Sequence, residues 1–139
     1  MSNLILIDTS FLYALYNAND ARHRAAVESA REINQVSIVP EVILPEITYL
    51  FRRDIGYHAI SPFLQKLAES DIQLQCLEWV DIRRAQEIMA TYATSEFDIV
   101  DACIMALSER LEVTQVCTFD RRDFSIFRPH HCDYLELLP

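Results

Sequence analysis

"LILIDTSFLYAL", residues 4–15, sets the reading of the whole chain. Four apolar residues run into Asp8, two hydroxyl residues follow, and a second apolar stretch starts at Phe11. A short unbroken apolar run fits a strand buried on both faces of a parallel sheet. The second stretch reads as a helix over Ser10–Tyr16. Asp8 therefore sits where a strand hands over to a helix. An acid there has two uses: it caps the helix by accepting a backbone N–H, or it holds a metal at the carboxyl end of the strand. The uses do not exclude each other, since one oxygen could take a backbone N–H while the other meets the metal.

The rest of the chain repeats the alternation. Further strands are expected at Val36–Val39, Ile72–Leu77 and Val116–Thr118, with an edge strand over Tyr134–Leu138. A helix capped by Asn19 or Asp20 runs to about Ile33, with Ala26, Val27, Ala30 and Ile33 on one face. Pro40 and Pro45 punctuate the start of the next, whose regular part begins as late as Pro45. A fourth runs from Gly56 to about Glu69, broken or restarted at Ser61-Pro62. Two more cover Val80–Tyr92 and Asp98–Leu111. Strands alternating with helices predict an α/β fold: three layers, α/β/α, around a central, mostly parallel sheet of four to five strands. At 139 residues this makes a single domain, 1–139.

Composition narrows the function. The chain is 51% hydrophobic and 24% charged, as globular proteins are. No apolar run approaches the ~18 residues of a membrane helix, and the N-terminus lacks a signal peptide's basic start and cleavage site. The expectation is a cytoplasmic protein without a membrane partner. Cys76, Cys103, Cys117 and Cys132 include no C-x-x-C pair and read as reduced, mostly buried thiols, which speaks against a zinc site. With Gly56 the single glycine, glycine-rich phosphate loops are excluded. A net charge of −9 argues against broad, nonspecific nucleic-acid binding. It does not exclude a nuclease, because carboxylates that hold a divalent cation lower the net charge. Eleven arginines stand against one lysine, and arginine suits bidentate contacts to phosphate.

In an open parallel sheet, functional groups gather at the carboxyl ends of strands. "LILID" ends in Asp8 and "QVCTFD" ends in Asp120. Glu46 starts a helix beside its apolar stripe Ile47, Leu50 and Phe51. Asp101, in the first turn of "DIVDACIMALSERL", faces the same way as Ile104 and Met105. Each acid has an ordinary explanation: a cap for Asp8, a helix-dipole partner for Glu46, a turn for Asp120. Asp98 and Asp101 have the spacing of a capping box. These explanations do not account for four acids from distant segments meeting at one end of one sheet. Packed carboxylates repel unless a cation joins them, and an all-oxygen set suits Mg²⁺ or Mn²⁺ rather than zinc. Ser10 and Thr118, each two residues from an acid, are the supporting hydroxyls.

Together these residues resemble the PIN domain family, and more narrowly the VapC-type toxins of toxin–antitoxin pairs. "LILIDTSFLYAL" looks like the family's first strand and D-T-[SN] motif. "LPEITYLFRR" looks like the segment with the family's glutamate, and "FDIVDACIMALSERLEVTQVCTFDRRDFSIFRP" like its C-terminal half, closing on T-x-D-[RK]-x-[DH]-F. The resemblance implies a ribonuclease dependent on Mg²⁺ or Mn²⁺, leaving 5′-phosphate and 3′-hydroxyl ends. Carried over by position, the catalytic and metal-binding carboxylates are Asp8, Glu46, Asp101 and Asp120, with Asp98 as an extra acid. Arg52, Arg53, Arg121 and Arg122 are candidates for RNA contact. The implied partners are an RNA substrate, a cognate antitoxin and a second copy of the chain. One departure is Glu112, where relatives often have the glycine that gives an easy left-handed helix end. Other readings are a PIN nuclease of RNA processing or decay, and a noncatalytic PIN-like module that docks a partner. A phosphatase of the haloacid dehalogenase type needs a second aspartate two residues after the first, where this chain has Ser10.

Overall fold

The structure, a computed structural model, describes residues 3–139. In chain order the elements are β1 Leu4–Ile7, α1 Thr9–Tyr16, α2 His23–Glu32, β2 Val36–Pro40, α3 Leu44–Asp54, α4 Ile60–Ala68, β3 Gln73–Gln75, α5 Trp79–Thr91, α6 Ile99–Arg110, β4 Gln115–Cys117, α7 Arg122–Ile126 and β5 Glu136–Leu138. The strands form one sheet in the order β3-β2-β1-β4-β5, every pair parallel. Leu6 of β1 stands opposite Ile38 of β2 on one side and Val116 of β4 on the other. Both faces of β1 are covered, which explains its unbroken apolar run: Ile5, Leu6 and Ile7 are buried.

The topology places the site. The chain steps outward from β1 through β2 to β3, then returns to β4 beside β1 and steps out to β5. Right-handed crossovers put the helices of these two excursions on opposite faces. The reversal leaves a crevice between the carboxyl ends of β1 and β4, where ligands bind in folds of this kind. One apolar core, with Phe11, Ile47, Ile104 and Phe124 buried, lies beneath it.

Several boundaries differ from the expectations. α2 starts at His23 and not after a cap at Asn19 or Asp20, because Asp20, like Asn17 before it, bends the local backbone instead of capping a helix. Asn17 Oδ1 accepts the Asn19 N–H (3.1 Å) and Asp20 Oδ1 the Arg22 N–H (2.8 Å). The expected restart at Ser61-Pro62 is seen one residue earlier: a single 3-10 turn covers Tyr57–Ala59 and α4 starts at Ile60, with Pro62 in its first turn, where its missing N–H costs nothing. Glu112 does not forfeit the left-handed helix end but adopts it, at φ 54°. The Val113 N–H then reaches Ser108 O (2.8 Å) and the Glu112 N–H reaches Glu109 O (3.2 Å), closing α6 as a glycine would. The short α7 was not expected from the sequence. The four cysteines are free, with Cys103 and Cys117 buried, Cys132 half-buried and Cys76 exposed. Among the described residues no helix is long and apolar enough to cross a membrane.

Candidate functional site

Asp8 leaves β1 with its backbone N–H bonded to Cys117 O of β4 (3.0 Å). It occupies the N-cap position of α1, yet its side chain makes no capping hydrogen bond of the usual form. Oδ2 instead accepts the Thr118 hydroxyl (2.7 Å) and the Ser10 hydroxyl (3.2 Å). Thr118 Oγ1 accepts the Asp120 N–H (3.0 Å), and Ser10 Oγ accepts the Phe119 N–H (2.9 Å). The two hydroxyls thus stitch the carboxylate at the end of β1 to the segment leaving β4. The cap expected of Asp8 is not made in its usual form: Oδ2 serves the two hydroxyls, and the helix contributes only the Thr9 N–H.

Around Asp8 opens a cleft of about 390 Å³. Glu46, Asp98, Asp101 and Asp120 all line it. α3 supplies Glu46 from its first turn and α6 supplies Asp101 from its own. Asp98 caps α6 as expected, accepting the Val100 N–H (2.7 Å), and borders the cleft as well. Asp123 of α7 lines it too and was assigned no role from the sequence. Its signal was the [DH] slot of the closing motif, one residue before the buried Phe124.

These acids bear on one another's charge. Burial pushes the Asp8 carboxyl up to about 6 against its hydrogen bonds from Thr118 and Ser10, and the Glu46 charge adds to the rise. Burial also raises Asp101 far above the carboxylate range, helped by the charge of Asp8 and by Asp123 and Asp120. Among the described residues no three of these acids already stand in an arrangement that could hold a metal ion. Like charges without a counterion spread apart. The donor set nonetheless fits a divalent cation in kind: oxygen ligands only, two of them buried, and a charge imbalance that a cation relieves. Thr9 Oγ1, also buried against the cleft, lacks a hydrogen-bond partner among the described residues.

The arginines separate. Arg53 lines the cleft, its Nε on Asp54 Oδ1 (2.7 Å). Arg52 lies over the Tyr57 ring, 5.6 Å from its centroid. Arg121 bonds the carbonyls of Leu137 and Pro139. Arg122 pairs with Asp123 (2.7 Å) and donates to Ser95 O (3.1 Å). Arg22, not singled out in the sequence, also lines the cleft.

An all-parallel α/β/α sandwich with a carboxylate-lined cleft at the reversal of its strand order is the class this structure defines. The chain belongs to the PIN domain family, whose model matches residues 5–128, as its three motifs implied. It is 30% identical over 125 residues to Ribonuclease VapC26 of Mycobacterium tuberculosis, covering 90% of this chain and 93% of that one. Among solved structures, the Mycobacterium tuberculosis Sarcin-Ricin loop cleaving toxin VapC20 superposes with a TM-score of 0.73 at 24% identity, over 81% of this chain and 86% of that one. VapBC2 of Rickettsia felis, bound to a DNA fragment from its promoter, reaches 0.71 at 13% identity, over 98% and 99%. Both share the fold.

Proposed function

We propose that this chain is a metal-dependent endoribonuclease acting in the cytoplasm as the toxin of a toxin–antitoxin pair. The observation that carries it is the meeting of Asp8, Glu46, Asp101, Asp120 and Asp123, from five separate elements or their ends, in one cleft. In this reading Asp8 and Asp101 bind Mg²⁺ or Mn²⁺ most directly, while Glu46 and Asp120 complete the shell or orient water, with Asp98 and Asp123 beside them. A bound cation supplies charge against the scissile phosphate and acidifies a water. The chain's own residues do the positioning. Thr118 and Ser10 fix the rotation of the Asp8 carboxylate and leave its Oδ1 to the cleft. Arg53, on the cleft wall, faces the substrate. The kinship with Ribonuclease VapC26 supports RNA as that substrate. A toxin–antitoxin complex of Klebsiella pneumoniae, with a TM-score of 0.66 at 18% identity over 87% of this chain and 90% of that one, supports an antitoxin partner. A homodimer completes the proposal. A noncatalytic docking module would need no such set of acids, and here all four expected carboxylates are present.

The test is cleavage of a panel of RNAs, structured tRNA included, by the purified chain with Mn²⁺ and by Asp8→Asn. The expected result is cleavage by the first alone, with Mn²⁺ binding seen by calorimetry. Intact RNA throughout, and no bound Mn²⁺, overturns the reading.

A further inference from the structure

We propose that Arg22 and Arg53 grip the RNA phosphates on the two sides of the scissile one. This rests on the ribonuclease reading and adds a substrate subsite to it. The acidic floor that suits a cation repels the rest of a polyanion, and the chain's charge of −9 adds to that repulsion. RNA can lie across such a floor only if cations flank it.

Two arginines line the cleft, and they come from different parts of the fold. Arg53 ends α3, which follows β2, whereas Arg22 lies over Phe119, which follows β4, its guanidinium 4.8 Å from the ring centroid. Asp8 follows β1, the strand between β2 and β4. Both arginines line the cleft.

Each is held in place without being used up. The Phe119 ring that carries Arg22 is itself stacked on the core residue Phe11, with centroids 5.7 Å apart and planes 16° off parallel. Asp20 accepts the Arg22 backbone N–H and makes only a loose ion pair with its Nε, at 3.7 Å. Among the described residues the Arg22 guanidinium donates no hydrogen bond, so its planar fork is oriented and unspent. Arg53 gives Nε (2.7 Å) and Nη2 (3.1 Å) to Asp54, leaving Nη1. Asp54 is tied in turn to Tyr13 of α1, whose O–H donates to it at 2.6 Å. The bonds from Arg53 and Tyr13 hold the Asp54 carboxyl down to about 2, so the clamp stays charged at any working pH. By contrast, Arg84 and Arg110 commit Nη1 as well, Arg84 to Glu87 (3.4 Å) beside its pair with Glu109 and Arg110 to Glu78 (2.9 Å) beside its pair with Asp81.

The experiment measures binding of a fluorescein-labelled single-stranded RNA oligonucleotide of mixed sequence by anisotropy in Mn²⁺, on the Asp8→Asn chain so that nothing is cut. Arg22→Ala and Arg53→Ala should each weaken binding about tenfold. Each should also flatten the dependence of log Kd on log salt by about 0.7, the loss of one phosphate contact to a single strand. Arg22→Lys should keep the slope and recover only part of the affinity. Arg83→Ala, an exposed arginine of α5 outside the cleft, controls for net charge and should change little. On the active chain, Arg22→Ala should raise KM and leave kcat within about twofold. Cleavage that proceeds while Arg22→Ala keeps the parent affinity and salt slope, or matches Arg83→Ala, overturns this inference alone. Absence of both RNA binding and cleavage by the parent chains overturns it together with the ribonuclease reading.

Discussion

The starts of α5 and α6 carry the same pattern, an acid, two apolar residues and an aspartate: "EWVD" at 78–81 and "DIVD" at 98–101. Their fates differ. Glu78 and Asp81 form a reciprocal capping box, and Asp81, 1% exposed, is also gripped by the Arg110 guanidinium at 2.8 and 2.9 Å. Asp98 caps α6 through Val100, but Asp101 points its buried carboxyl at acids: Asp8, Asp123 and Asp120 bear on its charge. A buried carboxylate that has its own guanidinium holds helices together. One left among its own kind is poised for a cation the chain does not supply. The capping box expected at 98–101 does not form, since Asp98 accepts from Val100 rather than Asp101, and the complete one lies twenty residues earlier, at Glu78 and Asp81.

That contrast can be broken experimentally. The largest effect is expected for Asp101→Asn and Asp8→Asn: Mn²⁺-dependent cleavage falls at least about 100-fold, with circular dichroism unchanged. Asp8→Asn keeps the fold because the amide oxygen still accepts from Thr118, not because it caps α1. Cleavage that survives either change removes that acid from the metal shell.

Next comes the pH dependence of the metal-free chain. Asp8 titrates near 6 when folded against 3.8 ordinarily, so between those values the folded chain holds a proton that the unfolded chain has lost. Stability therefore falls as pH rises through this window, by about 2–3 kcal/mol, and Asp101 carries the fall to higher pH. Urea melts across the window measure it, and Mn²⁺ should abolish the slope. A flat curve without metal would mean the acids have found another counterion. Asp81→Ala should cost about 2 kcal/mol of stability by removing the buried partner of Arg110, which keeps only Glu78, and half a capping box, with cleavage per folded molecule unchanged. Thr118→Val sharpens the other side: with the hydroxyl on Asp8 gone, cleavage should fall about tenfold and the acid limb of its pH profile should move up. Smallest is Glu112→Gly, which relieves a left-handed residue and should stabilise by about 1 kcal/mol without touching activity, as a thermal melt would show.

Much of this was legible because periodicity and position carry it. The apolar run of β1, the inward Ala85 and Ile88 of α5, and Asp8 and Asp120 just past their strands all lie where pattern puts them. α7 escaped because five residues are too few for a helical period to show. The start of α2 was misplaced, at Asn19 or Asp20, because Asn and Asp are equally good at capping helices and at bending turns, and neighbours choose between the two. The arginines were the least legible. Arg52, Arg53, Arg121 and Arg122 drew attention as neighbours in pairs, yet Arg121 and Arg122 are engaged by Pro139 and Asp123, while the isolated Arg22 reaches the cleft by way of Phe119, nearly a hundred residues away.

The sequence alone determined the parallel α/β/α architecture, the family and the oxygen-rich character of the site, because each depends on residue type and short-range spacing. Only the tertiary structure decided which acids have partners. Asp81 and Asp101 look alike along the chain, and the difference is that Arg110 of α6 packs beside the first and Asp8 of β1 beside the second. Charge acts through space, and the distances that decide a carboxylate's state are fixed by the fold.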